Sequence, residues 1–267
     1  MNTFTQRSVI ILFLATACQV NTDRRGETEA SDEVHTLTET LSRNQVERVT
    51  TRLSLTAGKL LVSGGADQLM EADFRYNQDS WKPEIRFDHR GAEGDISVEQ
   101  PDFTDDLDIN LGEDQQNEWR IRLNNDVKQE LQCSIGAGET ELDLRGLSLS
   151  RVDVDAGVGE HKIVLVDTSL PELSVDAGIG EVTIDLTGTW NNHLRAEIDG
   201  GIGELHLKVP SEVGVQLDVS GGLGSVNVPP GYVKRESTYT NDAYAQAEYR
   251  LEIDVDAGMG SIEVEEQ

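Results

Sequence analysis

The chain has 267 residues, of which 50 are acidic and 22 basic, giving a formal net charge of −28. A surface this negative repels nucleic acid and anionic lipid head groups, which excludes phosphate-backbone binding, and an aromatic share of 5% argues against a carbohydrate-stacking platform. With the 25 glycines counted, about 46% of the chain is apolar, as in folded rather than disordered proteins.

Residues Val9 to Ala17 form an apolar run behind a single positive residue, Arg7, and end in Ala15-Thr16-Ala17-Cys18. The run is too short to span a bilayer and has the shape of a secretory signal over residues 1–17. Its ending resembles a bacterial lipoprotein signal, in which cleavage falls just before the cysteine and the Cys18 thiol is acylated. Ala15-Thr16-Ala17 also suits an ordinary signal peptidase, so plain secretion stands as the alternative. Removing residues 1–17 takes away one positive charge and leaves −29, so any membrane attachment is covalent. The expected location is outside the cytoplasm, lipid-anchored on the outer side of the cytoplasmic membrane or in the outer membrane. By resemblance to Gram-negative sorting, Gln19 rather than Asp after the cysteine favours the outer membrane in a cell that has one.

Residues 18–45 then read as the lipidated Cys18 and a flexible acidic tether, because so polar a segment buries too little surface to offset its ordering entropy. A short helix over Val34 to Leu41 is the only ordered element it suggests. A single domain follows over residues 46–267, with an N-terminal part to about 131 and regular repeats from about 132.

Those repeats are marked by a corner. Gly136-Ala137-Gly138, Gly157-Val158-Gly159, Gly178-Ile179-Gly180, Gly201-Ile202-Gly203, Gly222-Leu223-Gly224 and Gly258-Met259-Gly260 recur. The second glycines, Gly138, Gly159, Gly180, Gly203, Gly224 and Gly260, are spaced by 21, 21, 23, 21 and 36 residues, a period of repeat arrays. Upstream of each corner apolar residues alternate strictly (Leu173, Val175, Ala177), and downstream the parity shifts by one (Val182, Ile184, Leu186). Period-two alternation is a half-buried strand, and a parity shift with both halves facing inward requires a bend or bulge of the kind glycine permits.

The fold expected is therefore all-β: a β-solenoid, or parallel β-helix, of about 21 residues per coil. A sandwich or a series of antiparallel hairpins would serve the same alternation. Because the residue between the glycines is always aliphatic, the corner is expected to face the core, with Val158, Ile179, Ile202, Leu223 and Met259 as an internal ladder. Weaker corners are read at Gly58 and Gly94. Cys133 aligns with Val175 and reads as a buried hydrophobe rather than a reactive thiol. The stretches Glu99 to Glu130 and Pro229 to Tyr249 break the rhythm, the second as an excursion from the last coils.

An ordered series of residues carries a family resemblance. Gly64-Gly65-Ala66-Asp67-Gln68-Leu69 is followed by Ala72-Asp73-Phe74-Arg75-Tyr76-Asn77 and Trp81-Lys82-Pro83-Glu84-Ile85. Then come Asn117-Glu118-Trp119-Arg120-Ile121-Arg122-Leu123-Asn124 and the corner at Gly136 to Glu139. The series resembles the toast-rack domain family, related in its C-terminal part to cell-wall-active antibiotic response proteins of the LiaF type. The resemblance covers nearly everything after the tether and implies a β-helix-like fold in bacterial envelope proteins, with no catalytic residues to carry over.

Glu139, Glu160, Glu181 and Glu204 recur at one position, and Asp155, Asp176, Asp199 and Asp256 at another. In-register stacking would make each series a column of like charges about 4.8 Å apart. Divalent cations could bind there through Asp155, Asp176, Asp199, Glu160, Glu181 and Glu204, but the spacing matches neither the calcium β-roll nonapeptide nor an EF-hand. Solvated side chains are the simpler reading. The five histidines, His35, His89, His161, His193 and His206, show no metal-ligand spacing. No nucleophile elbow, phosphate loop or Cys-x-x-Cys is present, and no cofactor is implied.

The function expected is a non-catalytic envelope lipoprotein acting as scaffold, adhesion or sensing module, with an envelope protein or the cell wall as partner. The alternatives are a glycan-active β-helix enzyme, which needs two convergent carboxylates, and a divalent-cation-dependent binding module.

Overall fold

A computed structural model describes residues 33–101 and 115–267. In chain order the strands are β1 (His35–Leu41), β2 (Arg48–Gly64), β3 (Met70–Tyr76), β4 (Glu84–Arg90), β5 (Glu93–Glu99), β6 (Asn117–Leu123), β7 (Lys128–Asp143), β8 (Leu149–Val164), β9 (Glu172–Asp185), β10 (Leu194–Asp199), β11 (Ile202–Val209), β12 (Gly214–Asn227), β13 (Val233–Arg235), β14 (Thr238–Thr240) and β15 (Arg250–Glu266). The signal segment, Cys18 and the start of the tether lie outside the described residues.

The solenoid expectation holds. β2, β7, β8, β9, β12 and β15 are long strands bent once, and β10 with β11 form a further coil interrupted at Gly200 and Gly201. All of them pair in parallel and in register: Gly58 lies beside Gly138, then Gly159, Gly180 and Gly203 follow. Each coil thus has a first arm before the corner and a second arm after it, and the inner faces of both are apolar. Leu53, Cys133, Val154, Val175, Ile198 and Val255 stack along the first arm. Val62, Leu142, Ile163, Ile184, Leu207 and Val264 stack along the second. All twelve are buried, and at about 1.5–3 kcal/mol per large aliphatic side chain such columns are the main stabilising term.

The glycines hold these coils at ladder distance. A Cβ on Gly180 would lie 1.9 Å from the carbonyl oxygen of Gly159, and one on Gly178 would lie 2.2 Å from that of Gly157. Gly180 also has φ +142°, a conformation that L side chains rarely adopt. The corners flagged at the sequence level therefore meet one another across the coils, and the space a side chain would occupy is filled by the neighbouring backbone.

At the N-terminal end the corner of β2 has no next coil, because β5 covers its first arm and β6 its second. Two side chains close the gap. Gln100 Oε1 accepts from the backbone N–H of Thr56 (3.2 Å) and Ala57 (3.4 Å), and Asn117 Nδ2 donates to the carbonyl of Ala57 (2.7 Å). Trp119 Nε1 donates to Asn117 Oδ1 at 3.1 Å, and its buried ring meets Phe74 edge-on at 5.5 Å. Antiparallel strands extend beyond this cap: β3 on β6, β1 on β3, and β4 on β5.

Four expectations are corrected. The tether does not reach residue 45, nor is Val34 to Leu41 helical: His35–Leu41 is β1, with Leu37 and Leu41 packed on the core. Gly94 is not a corner but an ordinary strand position opposite Val49. The coils do not stack in chain order, because β15 inserts between β10/β11 and β12. The Pro229 to Tyr249 stretch, by contrast, is the expected excursion from the last coils: it supplies β13 and β14, which run antiparallel against the outer edge of β12.

The largest correction concerns the corner residues. Val158, Ile179, Ile202 and Met259 are 52%, 53%, 47% and 51% exposed, and Leu223 is 78% exposed, so the ladder faces solvent. The parity shift explains this. Ala156 and His161 are both buried in β8, and the four residues between these two inward positions, Gly157 to Glu160, are half-buried or exposed at the bend.

Candidate functional site

The outer corner is the site the fold builds most regularly. Val158 pairs with Ile179, Ile179 with Ile202, Ile202 with Met259 and Met259 with Leu223, so one apolar residue per strand forms a stripe across five coils. Four spacings of about 4.8 Å make it about 19 Å long. Soluble proteins rarely leave such a row uncovered without a use for it.

Both sequence-predicted acidic columns flank this stripe. On the first arm Asp155, Asp176, Asp199 and Asp256 are in register, and all are exposed. On the second arm Glu139, Glu160, Glu181 and Glu204 are in register, and Ser261 and Ser225 continue the row. Lys59 Nζ closes the N-terminal end on Glu139 at 2.9 Å, a pairing that raises the lysine pKa. His206 Nε2 lies 3.3 Å from Glu204 and 3.7 Å from Glu181. Among the described residues, Glu160 and the four aspartates have no ion pair. The candidate cation ligands are thus spread one per coil in each of the two columns, and no group of three or more His, Cys, Asp or Glu is arranged to hold a metal ion among the described residues.

Beside the stripe is a partly open cavity of about 80 Å³ whose lining includes Ala177, Val182, Ile198, Leu205, Val255 and Ile262. A water needs about 10–15 Å³ in such a volume, so the space is larger than a packing defect. Its lining is mostly glycine and aliphatic side chains, with Glu204 as its one carboxylate, so it offers no convergent pair of carboxylates.

His161 also lines this cavity and was not singled out by its spacing. It occupies the inward column between Thr140 and Val182, is 4% exposed, and has no partner on Nδ1 or Nε2. Burial pushes its pKa below the ordinary 6.5. Protonation therefore favours the unfolded chain, so stability is complete above about pH 6.5 and declines as the pH falls below it. Replacing His161 with leucine is expected to raise stability by about 1–3 kcal/mol, the usual cost of an unpaired buried polar group. It should also flatten the decline in acid. Urea melts at pH 8 and pH 5 check both, and parallel losses in the two proteins would assign the acid sensitivity elsewhere.

The other histidines have local roles. His35 stacks on Tyr76 at 5.4 Å, His89 on Phe87 at 5.6 Å, and His193 meets Tyr249 edge-on at 6.0 Å. Cys133 lies beside Val154, which lies beside Val175, and burial pushes its thiol up to about 12, out of the reactive range. No helix of the described residues is long and apolar enough to cross a membrane.

A family model for the N-terminal domain of toast-rack matches residues 29–169. A second model, for the C-terminal part of the cell wall-active antibiotics response protein LiaF, matches residues 158–264. No curated protein matches. A solved structure from Clostridium sporogenes ATCC 15579, described as a "putative cell adhesion protein", is 27% identical with a TM-score of 0.67, over 88% of this chain and 100% of that one. A "putative adhesin" from Bacteroides fragilis NCTC 9343 is 10% identical with a TM-score of 0.31, over 88% of this chain and 99% of that one.

Proposed function

The chain belongs to the toast-rack family, and on that premise we propose that it is a non-catalytic binding module of the bacterial cell envelope, exported and anchored through an acylated Cys18. The observation that carries the reading is the repetition of the surface. Chemically equivalent groups recur at one-strand spacing across the outer corner, which suits adhesion, scaffolding or sensing along an extended partner. Catalysis instead needs unlike groups converging on one reacting atom. The likeness to the Clostridium sporogenes protein, which spans all of that chain, supports the adhesion sense, and the LiaF-type match supports an envelope setting.

Fractionation tests the anchor. The wild-type chain is expected in the membrane fraction, resistant to high salt and released by detergent, and Cys18→Ala is expected to move it to the soluble fraction. Equal retention of the two would overturn lipid anchoring. Turnover of cell-wall glycan or peptide by the purified protein would overturn the non-catalytic reading.

A further inference from the structure

We propose that the outer corner is a docking surface for a cationic amphipathic helix, which lays its apolar face along Val158, Ile179, Ile202, Met259 and Leu223 and its basic flanks over the two acidic columns. The inference names a partner class for the binding-module reading and rests on it.

Complementarity of charge and shape selects this occupant. The stripe is apolar, and its residues are about half exposed or more. Its borders are Asp155, Asp176, Asp199 and Asp256 on one side and Glu160, Glu181 and Glu204 on the other. Within a strand the Asp is three residues before the apolar position and the Glu two after it. At about 3.3 Å per residue the Asp column stands within roughly 10 Å of the stripe and the Glu column within roughly 7 Å, so lysine or arginine side chains reaching outward from the margins of a helix about 10–12 Å broad meet both. A stripe of about 19 Å matches about 13 residues of helix at 1.5 Å each. Such a helix presents apolar residues at i, i+3, i+4 and i+7, with lysine or arginine on both margins.

Charge also decides against the competing occupants. A second copy would bring acidic columns against acidic columns, and an anionic membrane would meet a chain of net charge −28; like charges repel in both cases. A free cation would satisfy the carboxylates but leave the aliphatic row in water. The neighbouring cavity of about 80 Å³, lined by Val182, Ile198, Val255 and Ile262, provides a place for one aliphatic side chain of the helix to insert, the usual centre of such an interface.

The test titrates the full chain, held in mild detergent, with three labelled probes. They are a Leu/Lys amphipathic helix of about 14 residues, a scrambled peptide of the same composition, and an oligolysine of equal charge. The amphipathic peptide is expected to bind at least about tenfold more tightly than either control. Ile179→Ser with Ile202→Ser and Met259→Ser, all at exposed positions, should lower that affinity about tenfold or more without moving the thermal melt. Asp176→Asn, Asp199→Asn, Glu181→Gln and Glu204→Gln together should do the same and abolish its salt dependence. Equal binding of all three probes would overturn the proposal, leaving ion exchange alone. So would self-association in sedimentation that the triple serine variant abolishes, which assigns the stripe to a second copy. Stripe-dependent binding to zwitterionic vesicles would assign it to a membrane and overturn the proposal too. Because the fractionation and turnover experiments do not involve the stripe, these outcomes leave the envelope reading to be judged separately.

Discussion

Gly180→Ala is expected to cost more than about 4 kcal/mol, enough to leave most of the chain unfolded or aggregated, while Gly200→Ala is expected to stay within about 1 kcal/mol of the wild type. Two separate physical terms are involved, and four glycines of this chain sort them. Gly180 carries both: φ +142° and a Cβ position 1.9 Å from the Gly159 carbonyl. Gly178 carries only the collision, at 2.2 Å from Gly157. Gly65 carries only the backbone term, with φ +94° and nothing within 4 Å. Gly200 carries neither, its nearest neighbour being 3.5 Å away. Relieving a 1.9 Å contact would push adjacent coils apart by more than an ångström, and ladder hydrogen bonds weaken steeply over such a stretch. The backbone term alone is worth about 1–2 kcal/mol. Urea melts should therefore rank the alanine variants Gly180, Gly178, Gly65 and Gly200, from most to least damaging. A Gly180 variant no worse than the Gly65 variant would show that the corner backbone yields, and the close-approach account would fail.

Much of this architecture is legible in residue order, because a parallel in-register stack makes sequence period and spatial column the same thing. The 21-residue spacing places Cys133 in line with Val175 and His161 with Val182, and the structure pairs them through the same columns. Glu139, Glu160, Glu181 and Glu204 stack for the same reason. What fails to show is whatever periodicity does not encode. Alternation says which residues share a face, but across a bend it does not say which side of the bend a residue falls on. Ile179 and Met259 therefore read as core and are half exposed. Their aliphatic character, which the fold does not need, is what points to a partner. Nor does a repeat specify stacking order: β12 and β15 are equivalent in pattern, and only the structure puts the later one inside. His35–Leu41 carried its own period-two signal in Leu37 and Leu41, masked by the threonines and glutamate between them. The spacing gave the inward position of His161 but not its lack of partners, which shows only when its two ring nitrogens are found unpaired.

The inserted position of β15 yields the second large effect. Ending the chain after Tyr249 is expected to unfold β10, β11 and β12 while leaving β2, β7 and β8 intact. β15 is the strand that joins β12 to the rest: its first arm pairs with β10 on one side and β12 on the other, and its second arm lies between β11 and β12. Leu251, Ile253, Val255, Ile262 and Val264 would leave the core with it, a loss of about 7–15 kcal/mol at 1.5–3 kcal/mol each. That approaches the whole stability of an ordinary domain, but solenoid stability is shared between neighbouring coils rather than across the molecule, so the loss should stay local. Hydrogen exchange reads this directly. Amides of Ile198, Leu205 and Leu207 should lose protection, and those of Leu53, Leu131 and Val152 should keep it. The competing outcome is capture of the vacated slot by β12, which has the same corner glycine and lies only four residues after β11. Capture would restore protection at Leu207 by laying β12 directly against β11, with β14 still paired on its outer edge. A peptide of residues 250–267 added in trans distinguishes the two. It should restore protection to β11 and β12 together if the slot stands open, as an added strand does at a free edge, and it should have no effect if β12 has moved into it.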